Sequence, residues 1–217
     1  MTQLTFKCFL ERVKDEYPIE KISVNHFKWL EKANNYYKKN PQSIQTNNCP
    51  GIISLLQTGW IQRAYQDITI TTNGDGTHFK WQTPYDQKRG KFGVPLDDYV
   101  SFHSYDQLEK FRSSGDHCLD TVIKIHSPWH VSVPKNYYLL STAVPYNDDN
   151  SFSAATGLLK GDQYLNIQLF WHKLKGTHTI KAGTPLCYYL LIERKKMNYK
   201  TKLIKNIKEI HKEEMHV

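Results

Sequence analysis

The chain has no C-x-x-C pair: Cys8, Cys49, Cys118 and Cys187 lie scattered through 217 residues. That scatter excludes the zinc motifs that pair close cysteines with histidines, and it predicts reduced thiols in an intracellular protein. There is no G-x-S-x-G elbow, no G-x-x-x-x-G-K-[ST] phosphate loop and no G-x-G-x-x-G between a strand and a helix. The common nucleophile and nucleotide signatures therefore name no reaction. No apolar run approaches the ~20 residues that a bilayer crossing needs, and Met1 to Arg12 lack the uninterrupted apolar core of a signal peptide. These absences predict a soluble, cytoplasmic protein with no membrane partner.

Present instead is ample material for a core, with 39% hydrophobic and 13% aromatic residues. The 14 tyrosines suit cores, grooves and subunit interfaces alike, because each ring can bury its body and keep its hydroxyl wet. Length and composition predict one domain, residues 1–217, with a helical section over 1–60, a β-rich core over 61–192 and a basic helical tail over 193–217. Formal net charge is +8, and the tail holds eight basic against four acidic residues, so half of the excess sits there. A run of this kind reads first as a solvated helix face or a peripheral arm, and second as a route to nucleic acid.

Strand signals dominate the second half. Leu165, Ile167, Leu169 and Trp171 alternate with Asn166 and Gln168, the pattern of a half-buried strand over Tyr164 to Trp171 opened by a Gly157 to Asp162 turn. After a Lys181 to Thr184 turn, Leu186 to Ile192 is apolar without alternation and predicts a central strand covered on both faces. The first of these strands is expected at an edge. Asp67 to Thr72 and Thr77 to Thr83 flank Asn73-Gly-Asp-Gly76 and predict a hairpin with Phe79 and Trp81 on its apolar face. Further strands are expected over Thr121 to His126 and Tyr137 to Val144. Pro128 and Pro134 bracket Trp129 to Val133, which predicts an edge strand or a bend.

Helices are expected from Asn25 to Asn40, with Asn25 as N-cap, a Val24 to Trp29 staple and a buried stripe of Phe27, Leu30, Ala33 and Tyr37. A shorter one should run from Pro50 to Gln57 with Gly59 just past its end. Ser104 to Gln107 has capping-box spacing for a helix that Gly115 would stop, and Tyr199, Leu203, Ile207 and Ile210 form one stripe in the tail. Residues 84–99 read as a long irregular loop, the suspect for a lid.

Chemistry-bearing residues gather in the predicted sheet region. His126, His130, His172 and His178 are the metal candidates, since imidazoles brought together by a sheet hold zinc or iron. Their spacing does not fix their convergence, and the H-x-D start of a two-His-one-carboxylate iron site is absent. Asn73 to Gly76 fails as a calcium loop because the twelfth position is Gln82 where a bidentate Glu is required. Asp162, His130 and His172 are the catalytic candidates, and Trp129, Tyr164 and Trp171 the ligand-binding ones. No cofactor is specified.

Two resemblances add to this reading. Gly157-Leu-Leu-Lys-Gly-Asp-Gln-Tyr164, a following strand and Ile180-Lys-Ala-Gly-Thr-Pro-Leu186 resemble the closing section of the dUTPase family. The resemblance implies a β-clip fold, with Lys160 at the position of that family's water-activating carboxylate and Asp162 and Tyr164 displaced by one residue. Tyr17-Pro-Ile19, Cys49-Pro-Gly-Ile52, Trp81 to Pro84, Ser127-Pro-Trp-His130 and Ala182-Gly-Thr-Pro185 are similar to a group of uncharacterised marine bacteriophage proteins. This implies the cytoplasm of an infected host cell.

Together the residues predict a mainly β (α+β) fold, an antiparallel β-sandwich or β-clip with N-terminal helices and a basic C-terminal helix. The leading functional expectation is a non-catalytic module that binds a protein partner or self-associates as a homo-oligomer. The alternative is an enzyme acting on a small-molecule or nucleotide substrate, metal-dependent or not, in a pocket of the C-terminal sheet. A third expectation is nucleic-acid binding through the tail.

Overall fold

The computed structural model describes residues 3–23, 27–42, 49–84, 99–103, 118–196 and 201. Over these described residues the fold is mainly β, with 44% strand and 15% helix. Its elements in chain order are β1 (Thr5–Cys8), α1 (Glu11–Glu16), β2 (Glu20–Lys21), α2 (Lys28–Lys39), α3 (Pro50–Leu55), β3 (Trp60–Arg63), β4 (Ile68–Asn73), β5 (Phe79–Gln82), β6 (Val100–His103), β7 (Val122–Ile125), β8 (Trp129–Val133), β9 (Tyr137–Thr142), β10 (Phe152–Ala154), β11 (Gly157–Leu159), β12 (Gly161–Tyr164), β13 (Ile167–Trp171), β14 (Lys175–Ile180) and β15 (Pro185–Glu193). The strands form four sheets, ordered β1-β8-β12, β10-β13-β7-β6, β11-β9-β15-β3-β2 and β14-β4-β5. Every ladder is antiparallel.

β15 is the central strand that its unbroken apolar run predicts. It pairs with β9 on one side and β3 on the other. Cys187, Tyr189 and Leu191 join the larger core, while Tyr188 and Leu190 join a smaller cluster with Ile22, Phe27, Leu30, Leu56, Ile61 and Val144 beneath α2 and α3. Each large side chain fully buried in these layers contributes about 1.5–3 kcal/mol of transfer free energy. Gly59 makes the close approach between α3 and β15. At φ +87° its position admits no side chain, because an added Cβ would stand 2.3 Å from the Tyr189 carbonyl oxygen.

The Asn73 to Gly76 hairpin forms as its turn residues predict, pairing Thr72 with Phe79 and Ile70 with Trp81. β14 lies on the other side of β4, and two hydroxyl pairs, Thr69 with Thr179 and Thr71 with Thr177, join them at 2.9 Å.

Other local expectations are overruled by long-range pairing. Ile167 to Trp171 alternates between buried and half-buried as predicted, yet β13 is not an edge, since β10 and β7 flank it. β8 likewise is the middle of its sheet. Pro128 and Pro134 lie just beyond its two ends, where their missing N–H groups cost no ladder bond. The expected turn over Gly157 to Asp162 is two short strands. β11 pairs with β9, β12 pairs with β8, and Gly161 at φ +66° carries the chain from one sheet to the next.

The N-terminal section supplies two strands besides its helices, with β1 docking on β8 and β2 on β3. α2 begins at Lys28 with Phe27 as its N-cap residue and no side-chain cap from that residue. The free N–H of Lys28 donates instead to the Asp148 carboxylate at 2.9 Å, a cap lent from 120 residues away. Val24, Asn25, residues 85–98 of the suspected 84–99 lid, the helix expected from Ser104 and most of the 193–217 tail lie outside the described residues; within that tail Glu193 ends β15, and residues 194–196 and 201 are not helical as expected.

Candidate functional site

The sheet β1-β8-β12 turns Phe6, Trp129, Val131 and Val133 toward the core. Period-two alternation sends the intervening side chains to the opposite face. Register then arranges them in two rows. Lys7, His130 and Tyr164 stand abreast, and Thr5, Ser132 and Asp162 stand abreast beside them. Three residues singled out from sequence, His130, Asp162 and Tyr164, thus share one face, His130 and Tyr164 as register partners and Asp162 in the neighbouring row.

A directed hydrogen-bond chain crosses that face. The Lys7 ammonium donates to Ser132 Oγ at 3.1 Å, and the Ser132 hydroxyl donates in turn to Asp162 Oδ1. Tyr164 is 61% exposed. Two rings meet it nearly perpendicularly: His130 at 5.4 Å and 88°, and Phe9, which follows β1, at 6.3 Å and 85°. Such edge-to-face contacts hold a ring in place while leaving much of its surface to solvent. The result is a flat platform with aromatic, cationic, anionic and hydroxyl groups side by side.

The other residues singled out from sequence go elsewhere. Trp129 and Trp171 are core residues at 5% and 1% exposure, so neither offers a surface for a ligand, and the Trp171 indole N–H donates to the Lys173 carbonyl at 2.9 Å. His126 Nε2 is 2.7 Å from Ser101 Oγ on β6. His178 Nε2 is 3.1 Å from Asp149 Oδ2, and its ring packs on Trp171 at 5.8 Å. His172 Nε2 is 2.8 Å from Ser153 Oγ, beside an open cavity of about 250 Å3 lined in part by Val144, Asn147, Phe152 and Leu186.

Asp149 also faces this cavity. Burial pushes its carboxyl up, but the Ser151 hydroxyl and N–H, at 2.6 and 2.9 Å, together with His178 outweigh burial and hold it below the usual carboxylate range. Ser151 thus makes two hydrogen bonds to its Oδ1, and His178 Nε2 stands against its Oδ2.

Among the described residues, no group of three or more His, Cys, Asp or Glu side chains is placed to hold a metal ion. The four histidines proposed as ligands occupy separate positions: His126, His172 and His178 are hydrogen-bonded to Ser101, Ser153 and Asp149, and His130 packs on Tyr164. All four cysteines are free thiols. Within the same residues no helix is long and apolar enough to cross a membrane.

Sequence reasoning missed Thr5, Lys7, Phe9 and Ser132. Thr5-Phe-Lys-Cys8 does alternate, but four residues are too few to signal a strand without the partner that β8 provides. In comparisons with protein-family models, curated proteins and solved structures, nothing matches this chain.

Proposed function

We propose that the protein is a non-catalytic recognition module that makes its contact through the outer face of β1, β8 and β12. One observation carries the reading: Tyr164, an amphipathic ring with most of its surface in water, is braced by Phe9 and His130 on a regular sheet. A tyrosine anchored this way offers contact area at small entropic cost, which is why such residues dominate binding hot spots. The resemblance to bacteriophage proteins and the free thiols support the cytoplasm of an infected host cell as its setting.

The test is a scan of two faces. Phe9, His130, Asp162 and Tyr164 are each replaced by Ala, as are Thr71 and Lys80 on the outer side of β4 and β5. Variants are compared for melting temperature, for self-association by sedimentation velocity, and for capture on immobilised peptide and glycan panels. Contacts made by the wild type should weaken with the first set and persist with the second, at unchanged melting temperature. Loss confined to the second set overturns the proposal.

The bond between Ser153 and His172 beside the cavity favours one other reading, an enzyme acting on a small-molecule or nucleotide substrate. A fluorophosphonate probe that transfers its phosphonyl group to Ser153 Oγ with loss of fluoride, and fails to do so in His172→Ala, would support it. A wild-type protein left unlabelled by the probe counts against it.

A further inference from the structure

We infer that the outer face of β1, β8 and β12 binds a neutral saccharide, an inference that rests on the recognition reading above. The dimensions come first. Three strands about 4.8 Å apart, with outward side chains every second residue, spread the two rows over roughly 10 by 7 Å, an area on the order of 100 Å2. A stable protein partner buries about 800 Å2 of accessible surface per side and would have to reach well past these six side chains. One or two sugar rings fit it.

Charge points the same way. The chain carries a net +8, yet on this face Lys7 and Asp162 cancel and are joined through Ser132. Among the described residues of this face a polyanion finds no cationic cluster, and a neutral ligand loses nothing to uncompensated charge. The groups present suit hydroxyls, each of which both donates and accepts. Asp162 accepts, Lys7 donates, Ser132 accepts because its own proton goes to Asp162, and Thr5 does either.

The aromatic pair completes the match. A pyranose ring has polar edges and faces lined with C–H groups, which pack on the electron-rich face of an aromatic ring. Tyr164, 61% exposed, and Phe9, 37% exposed, provide that surface directly beside the hydroxyl-binding groups.

The experiment uses the full chain on an array carrying neutral oligosaccharides (maltotriose, cellotriose, chitotriose, galactobiose) alongside sialylated and sulfated ones. Hits are titrated by calorimetry at low and high salt, and wild type and Tyr164→Ala are also compared by sedimentation velocity. Binding to at least one neutral oligosaccharide is expected, insensitive to salt and weakened about tenfold in Tyr164→Ala at unchanged melting temperature. Binding only to charged glycans, or equal binding by Tyr164→Ala, overturns the inference. If no glycan binds but the wild type self-associates and Tyr164→Ala does not, the saccharide is wrong and the recognition face stands. If no glycan binds and Tyr164→Ala leaves sedimentation unaltered, both fall.

Discussion

The five-stranded sheet around β15 and the three-stranded sheet around β8 are both built from antiparallel ladders with a central strand flanked on both sides, yet they differ in what covers them. β15 has the larger core on one side and the α2–α3 layer on the other. β8 has the core on one side and, on the other, a row of polar and aromatic groups open to water. A strand wrapped on both sides spends its side chains on stability, whereas a strand wrapped on one side can spend half of them on recognition.

The sharpest way to break this contrast is Gly59→Ala. A Cβ there meets the Tyr189 carbonyl oxygen at 2.3 Å and the Tyr188 ring at 2.8 Å, at a φ that disfavours any side chain. Chemical denaturation should show a loss of about 3 kcal/mol or more, and a wild-type midpoint would contradict the packing described. Next is Tyr189→Phe. The Tyr189 hydroxyl donates to Gln62 Oε1 at 2.7 Å, and the Gln62 amide donates to Ser127 Oγ at 2.6 Å, all three residues being buried. Removing the hydroxyl strands a buried acceptor, and a loss of about 1–3 kcal/mol is expected from the same measurement.

Asp148→Ala removes the borrowed cap from α2 and should cost about 1 kcal/mol, read as a lowered urea midpoint with a matching loss of far-ultraviolet helical signal. A smaller effect is expected from Asp149, whose carboxyl is held below its ordinary range in the folded state. A depressed folded value means that its contribution is fully present above the unfolded pKa, about 3.9, and is lost as pH falls through the folded one. The stability difference between wild type and Asp149→Asn should therefore be largest near neutral pH and shrink in acid. A difference that grows on acidification would reverse the sign and refute the arrangement. The least effect belongs to the open face, where Tyr164→Ala should move stability by no more than about 0.5 kcal/mol while weakening binding. A large stability loss there would mean that Tyr164 is part of the core after all.

Much of the fold was legible where local pattern and global role agree. The run Leu186 to Ile192 carries the mark of a doubly covered strand because both of its faces are apolar in sequence as well as in space. Asn73 to Gly76 specifies its hairpin because turn chemistry is local. Pro50 opens α3 for the same reason. Legibility failed where a residue's role depends on a distant partner. The prolines around β8 suggested an edge because nothing nearby reveals that β1 and β12 close on both sides of it. Asn25 looked like the cap of the second helix because Asp148 is invisible to any local window. The site shows the same limit: His130 and Tyr164 were identifiable in strands and Asp162 in a turn, but Lys7 and Thr5 join them only through a pairing that no periodicity announces. The tryptophans misled in the opposite direction, since a large ring suits a groove and a core equally until burial decides.

The docking of β1 on β8 has a further meaning for when this molecule becomes competent. Lys7 and Ser132, which touch across the open face, are separated by 125 positions along the chain. Closing so long a loop is entropically unfavourable early in folding and becomes cheap only once the intervening strands have condensed. A partly folded chain in which β1 has yet to dock therefore lacks Lys7 and Thr5 beside Tyr164, so the six-residue face exists only after folding has joined segments 125 positions apart.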